Sequence, residues 1–328
     1  MTEELRYLMA GVLVLLVIAS VVGFLMSRRE LGESGRAGVK NFNARTRSWW
    51  AMVGIFGLTL VLGPMTTVVL FALLSFMALR EFVTINKTRQ SDHHVLFWSF
   101  FIILPLQYFL VAIQWHNLFS IFIPVYAFIF IPIRKVLTGD VRDYLATTAK
   151  VQWGLLVCVY FVSHMPMLLA LPIAGWAGKN AALLFFFVMV VQASDVFQYV
   201  WGKCLGRHKV APLLSPNKTW EGTLGGIGTS VLVAAGLSFA TPFNVWQAAL
   251  MGLLICLAGF FGGLVMSAIK RDLGAKDWGQ GIAGHGGVLD RIDSLCFAAP
   301  LFFHMTKFYF GTGISPPPPA WILRFLGN

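Results

Sequence analysis

Residues 267 to 293 hold the densest set of reactive side chains in this 328-residue sequence. Ser267-Ala268-Ile269-Lys270-Arg271-Asp272-Leu273-Gly274-Ala275-Lys276-Asp277 is followed by Gly281 and by Gly284-His285-Gly286-Gly287-Val288-Leu289-Asp290-Arg291-Ile292-Asp293. Four carboxylates and four cations in 27 residues, spaced by glycines, exceed what a plain connection between helices needs. Asp290 and Asp293 are three apart, so a helix starting there puts both on one face. Such a pair can hold a hard divalent cation, and Mg²⁺ then takes its other ligands from water and substrate phosphates. Lys270, Arg271, Lys276 and Arg291 suit neutralising a polyphosphate, and glycine lets backbone approach it. Metal, cations and in-line positioning are the ingredients of phosphoryl-type transfer. The plainer alternative is a salt-bridged loop, with His285 bonded to a backbone carbonyl.

Two further polar groups precede this stretch. Asp195, in Gln192-Ala193-Ser194-Asp195-Val196-Phe197-Gln198-Tyr199, ends an otherwise apolar segment. A carboxylate there costs a few kcal/mol unless it faces protein, water or a cation. The segment Gly202 to Gly222 contains Gly206-Arg207-His208-Lys209 and Ser215-Pro216-Asn217-Lys218-Thr219-Trp220-Glu221-Gly222. It reads as a loop whose backbone amides and Lys218 can approach an anion. It lacks the spacing of a Walker loop, and alone it is an ordinary basic loop.

Together these residues resemble the phosphatidate cytidylyltransferase, or CDP-diacylglycerol synthase, family. Its signature S-x-[apolar]-K-R-x4-K-D-x-G-x-x-[apolar]-[small or Pro]-x-H-G-G-[apolar]-x-D-R-[apolar]-D meets Ser267, Lys270, Arg271, Lys276, Asp277, Gly279, Ile282, His285 to Val288, and Asp290 to Asp293. Upstream, D-x-x-x-Y-x-x-G falls on Asp195, Tyr199 and Gly202, and S-P-x-K-T-x-x-G on Ser215, Pro216, Lys218, Thr219 and Gly222. The likeness covers roughly residues 190 to 300. Ala283 stands where proline is usual, and Gln198 where a small residue is.

The resemblance implies attack of a lipid phosphate on the α-phosphorus of CTP, releasing pyrophosphate and leaving a CDP-lipid. It implies Asp277, Asp290 and Asp293 as metal ligands with Asp195 as a fourth, and Lys270 and Arg271 beside Asp277, Asp290 and Asp293 as the catalytic set. Ser215, Lys218, Thr219, Ser267, Lys276, His285 and Arg291 become the substrate-binding residues. Mg²⁺, with or without a second, monovalent cation, is the expected cofactor. The expected partners are CTP, phosphatidate or a similar lipid phosphate, and the bilayer, with a homodimer as a compatible assembly. Cytidylyl transfer to another lipid phosphate and a non-catalytic membrane scaffold are the alternatives.

The elements that must position these groups are membrane helices. A chain 57% hydrophobic and 12% charged cannot cover a water-soluble globule of this size. Apolar blocks at 8–26, 48–62, 65–79, 95–114, 118–133, 151–171, 181–201, 223–240, 245–266 and 292–310 match the length of bilayer spans. The expected fold is thus an all-α, polytopic bundle of about ten spans with a cytoplasmic-side active site. Segments 27–47, 80–94, 134–150, 202–222 and 267–291 carry 21 of the 25 Lys and Arg, which makes them cytoplasmic loops and puts both termini on the other side. This distribution also accounts for the net charge of +11 without nucleic acid. A multi-pass protein of the inner (plasma) membrane is expected, divided into N-terminal helices 1–180, a catalytic region 181–310 and a Pro-rich tail 311–328. Cys158, Cys204, Cys256 and Cys296 are too scattered for a disulfide framework or zinc site and read as apolar filler. The acidic residues within the spans, Asp195 and Asp293, lie toward one end, which favours an interfacial site over a conduction path.

Overall fold

The computed structural model describes residues 1–29, 32–86, 89, 92–279 and 286–312. Ten helical segments run through it: α1 (Glu3–Ser27), α2 (Glu33–Leu62), α3 (Pro64–Ile85), α4 (His93–Ala112), α5 (His116–Val136), α6 (Tyr144–Ala170), α7 (Asn180–Leu205), α8 (Trp220–Gly236), α9 (Val245–Asp272) and α10 (Leu289–Phe310). All of these except α2, α8 and α10 are at once long and apolar enough to cross a bilayer. Each predicted span falls on one helix, and the chain is an all-α, polytopic membrane protein.

Local chemistry explains the helix ends and irregularities. Gly63, at φ 118°, reverses the chain, and Pro64 opens α3, where a missing N–H costs nothing. Asn244 and Gln247 close a reciprocal capping box at the start of α9. Helices α4, α5 and α6 each contain a π-turn, at Ser99–Ile103, Phe122–Ala127 and Leu156–Phe161. Pro124 lies within the second and Pro105 just past the first, where the missing N–H breaks the regular ladder.

Two predicted loops are built differently. Segment 27–47 is mostly helix, because α2 begins at Glu33 and runs 30 residues through the basic stretch before its apolar half. Its alternation of cations with Ala, Val and Phe is compatible with continuous helix, and hydropathy alone registers only the apolar end. Segment 202–222 folds into an antiparallel hairpin, β1 (Lys209–Ala211) and β2 (Ser215–Thr219), with Lys209 opposite Thr219 and Ala211 opposite Ser215.

Helices α7, α8, α9 and α10 pack together, and α3 and α6 close on α10. Their core is aromatic, with Phe187 stacked on Phe302 at 5.1 Å and Phe186 and Phe243 beside them. Exposed Val14, Ile18, Val69, Phe101, Ile129, Leu250 and Phe261 form an apolar exterior suited to lipid. At one end, Lys179 pairs with Glu4 at 2.6 Å and Thr312 N donates to the Pro172 carbonyl at 3.1 Å. At the other, Arg89 pairs with Asp143 at 2.5 Å and a buried Lys135–Asp92 ion pair ties α5 to the start of α4. The basic segments therefore gather at one end. Residues 313–328 of the Pro-rich tail lie outside the described residues, as does His285 with its neighbours 280–284.

Candidate active site

The site begins where α7 and α8 touch. Gly222 lies so close to α7 that a Cβ on it would come to 2.9 Å from the Gly202 Cα and 2.7 Å from the Gln198 carbonyl oxygen. Small residues of this kind let membrane helices approach. Thr219 ends β2 and caps α8, its hydroxyl accepting from Gly222 N at 3.2 Å. Glu221 anchors the hairpin's entry by accepting from Arg207 N at 3.0 Å and from the His208 ring at 2.5 Å. Those bonds hold its carboxyl down at about 2, from an ordinary value of 4.5. So held, the hairpin delivers Lys218 inward, over the Phe260 ring at 5.0 Å and against Gly263.

Lys270, in the last turn of α9, donates to Asp290 Oδ1 at 2.7 Å. The other oxygen, Oδ2, accepts from Trp278 N at 2.8 Å and Gly287 N at 3.0 Å. Asp290 thus ties Trp278 and Gly287, on either flank of the glycine-rich segment, to the start of α10, with Gly286 at φ +80°. Trp278 is 2% exposed and stacks on Phe82 of α3 at 5.3 Å. Beside Phe82, Glu81 accepts from Val288 N and Leu289 N at 2.9 Å each, satisfying two of the amides that a helix start leaves unpaired. A Cβ on Gly279 would come within 3.0 Å of the same carboxylate.

One turn on, Asp293 approaches α7. The Ser294 hydroxyl lies 3.3 Å from Asp195 Oδ1 and 3.5 Å from Asp293 Oδ1, so the two carboxylates flank a single serine. Lys218 and Arg291 act on Asp195 by charge, and Lys270 and Lys218 on Asp293. Arg291 Nε is buried with no hydrogen-bond partner among the described residues, while its own carbonyl accepts from Gln192 at 3.4 Å. An orphan guanidinium donor beside a carboxylate pair is poised for an anionic ligand.

The structure therefore brings together Asp195, Asp293, Lys218, Lys270, Asp290 and Arg291. The four carboxylates do not converge: Asp277 is exposed on the loop, and among the described residues no group of three or more His, Cys, Asp and Glu forms a metal centre. Asp290 shares α10 with Asp293, yet it turns back to Lys270 and the loop amides. Mg²⁺ is bound through one or two carboxylates plus water and substrate phosphates, so the oxygen donors of Asp195 and Asp293 fit it. Arg271 is exposed and donates to the Ala275 carbonyl, Lys276 is exposed, and the Ser267 hydroxyl donates to its own helix at Gly263. Ser215 sits partly buried on β2. Gln198 bonds Ser194 at 2.9 Å, within its own helix. Sequence reading missed Glu81, Trp278 and Ser294. The signal for Glu81 was an acid two residues beyond a predicted span.

The profile of the cytidylyltransferase family matches residues 43–309. The uncharacterized protein YnbB of Escherichia coli (strain K12) is 39% identical over 302 residues, covering 92% of this chain and 97% of that protein. The phosphatidate cytidylyltransferase of Staphylococcus haemolyticus is 42% identical over 115 residues, 34% of this chain and 44% of that enzyme. That of Staphylococcus aureus (strain COL) is 43% identical over the same length and the same shares. The chain thus matches less than half the length of the two enzymes whose names state an activity.

Proposed function

This chain belongs to the cytidylyltransferase family, and from that premise we propose that it transfers the cytidylyl group of CTP to phosphatidate, releasing pyrophosphate and forming CDP-diacylglycerol for phospholipid synthesis. The observation that carries the reading is the carboxylate pair Asp195 and Asp293, flanking Ser294 and facing Lys218 and the orphan donor of Arg291 at the basic end of the bundle. The phosphatidate acceptor is supported by the names of the two staphylococcal enzymes, 42% and 43% identical to this chain over 115 residues.

A phosphate oxygen of the lipid forms the new bond to the α-phosphorus, and the bond from that phosphorus to the bridging oxygen breaks, the electron pair leaving with pyrophosphate. No protein nucleophile is needed. Lys218 and Arg291 offset phosphate charge that two carboxylates would otherwise repel. Lys270 and Asp290 tie the end of α9, Trp278 and Gly287 to α10, and Glu81 holds the start of that helix. Asp195 and Asp293 would hold Mg²⁺, which supplies charge neutralisation at the reacting phosphates. The basic end faces the cytoplasm and its CTP, across the inner (plasma) membrane.

The test is incubation of the purified protein in detergent with radiolabelled CTP, Mg²⁺ and a panel of lipid phosphates. Label in a CDP-lipid with phosphatidate, and pyrophosphate in equal amount, is the expected result. Label only with another lipid phosphate would reassign the acceptor, and absence of CTP binding would leave a membrane scaffold.

A further inference from the structure

Gly259, Gly262 and Gly263 of α9 stand at i, i+3 and i+4, so they share one face of the helix, and that face is turned toward α10. Two of them serve helix packing. A Cβ on Gly259 would meet the Ser294 carbonyl oxygen at 3.4 Å, and one on Gly262 would strike the Phe297 Cβ at 2.5 Å, so α10 lies where those side chains would be. Gly263 differs from both. A Cβ there would come to 3.0 Å from Lys218 Nζ and 3.7 Å from Ser294 Oγ, and no backbone atom of another element lies within 4 Å of it. The space is taken by the end of a flexible side chain that arrives from the hairpin.

That side chain is a cation available to a ligand. Lys270 is spent on Asp290 at 2.7 Å, whereas Lys218 makes no ion pair among the described residues. Its ammonium lies 5.0 Å from the centroid of the Phe260 ring, a cation–π contact with the same helix, and acts by charge on both Asp195 and Asp293. Ser294, whose hydroxyl those two carboxylates flank, lies against the same glycine. The α9 backbone is braced at this point, because Ser267 donates its hydroxyl to the Gly263 carbonyl at 2.7 Å. A helix interior favours alanine over glycine, so a glycine at 263 costs stability. At 262 the close approach of α10 requires that glycine. At 263 only the Lys218 ammonium does.

We propose that Gly263 is a positioning residue for transfer at phosphate: its missing side chain leaves a seat in α9 for the Lys218 ammonium, beside Ser294 and the carboxylate pair. A methyl group at 263 would force the ammonium to give by a few tenths of an ångström or more, which misplaces its charge against a reacting phosphate and leaves the packing of α9 on α10 intact. The seat itself stands on geometry. Its purpose rests on the cytidylyl-transfer reading.

The full chain in detergent is compared with G263A, K218M and G263A/K218M by three readouts. The thermal midpoint of G263A should be no lower than that of the unaltered protein, since alanine is the better helix former. Reductive methylation with formaldehyde and cyanoborohydride, followed by peptide mass spectrometry, should modify Lys218 faster in G263A and exposed Lys276 at an unchanged rate. Turnover of CTP with phosphatidate should fall roughly 10- to 10²-fold in G263A, the scale of loss that a misplacement of about 1 Å can produce. Adding G263A to K218M should cause no further loss, because the glycine acts through the lysine. A lowered midpoint, unchanged methylation of Lys218, undiminished turnover in G263A, or a further loss on the K218M background would each overturn the proposal. If the unaltered protein forms no CDP-lipid while Lys218 methylation still rises in G263A, the transfer reading fails and the seat stands.

Discussion

Asp195 and Asp293 approach one serine hydroxyl from two helices, whereas Asp290, three residues before Asp293, is spent on Lys270 and two loop amides. The two neighbours on α10 should therefore fail differently. Asp293→Asn keeps shape and removes a charge from a like-charged pair, so the variant should purify normally and lose about 10²- to 10³-fold in rate, partly restored by raised Mg²⁺. Asp290→Asn should also lose activity, but raised Mg²⁺ should not restore it, because the defect lies in the fold of the loop. Equal rescue of both in a Mg²⁺ titration would contradict this division. Glu221 supplies a pH test. Its folded pKa is depressed, so its hold on the hairpin is complete above its ordinary value of 4.5 and is lost as pH falls toward about 2. Amide protection factors across 207–219, taken against the intrinsic rate at each pH, should fall through that window, and Glu221→Gln should show the lower protection already at neutral pH. The sequence marked Asp195, Asp293 and Lys218 by type and spacing. It could not say which carboxylates face one another, because that depends on how α7 and α10 pack.

The start of α10 is held by a residue from the other half of the chain. Glu81 on α3 takes the amides of Val288 and Leu289, and Phe82 stacks on Trp278, so α3 packs against both flanks of the glycine-rich segment. Removing a helix-capping acceptor costs about 0.5–2 kcal/mol. Glu81→Ala should lower the thermal midpoint and the turnover rate together, with Glu81→Gln intermediate, as read by a thermal-shift assay and the CTP assay. A fall in neither would make the contact dispensable. The helices were legible because each contains an apolar block, and seven of those described are long and apolar enough to cross a bilayer. The hairpin and the basic first half of α2 were not, since a five-residue strand containing Pro216 and a charged helix both resemble loop in hydropathy.

At the scale of the whole molecule, the helices alternate so that the basic segments and the carboxylate pair share one end, opposite the Lys179–Glu4 contact. In intact cells, after the exposed Cys204 is replaced by serine, a cysteine at position 179 should react with an impermeant maleimide and one at 209 should not. The reverse pattern would put the site on the side away from cellular CTP. Composition and hydropathy by themselves determined an all-α membrane bundle, its helix count, its sidedness of charge and the short list of reactive side chains. Those follow from local solvent preference and need no knowledge of which helices meet. Tertiary structure alone decided that Asp195 pairs with Asp293, that Asp290 serves the loop and that Glu81 caps α10. The Asp195–Ser294 and Glu81–Val288 bonds join residues 99 and 207 positions apart, and a one-dimensional pattern of polarity carries no information about which buried partners close packing will bring together.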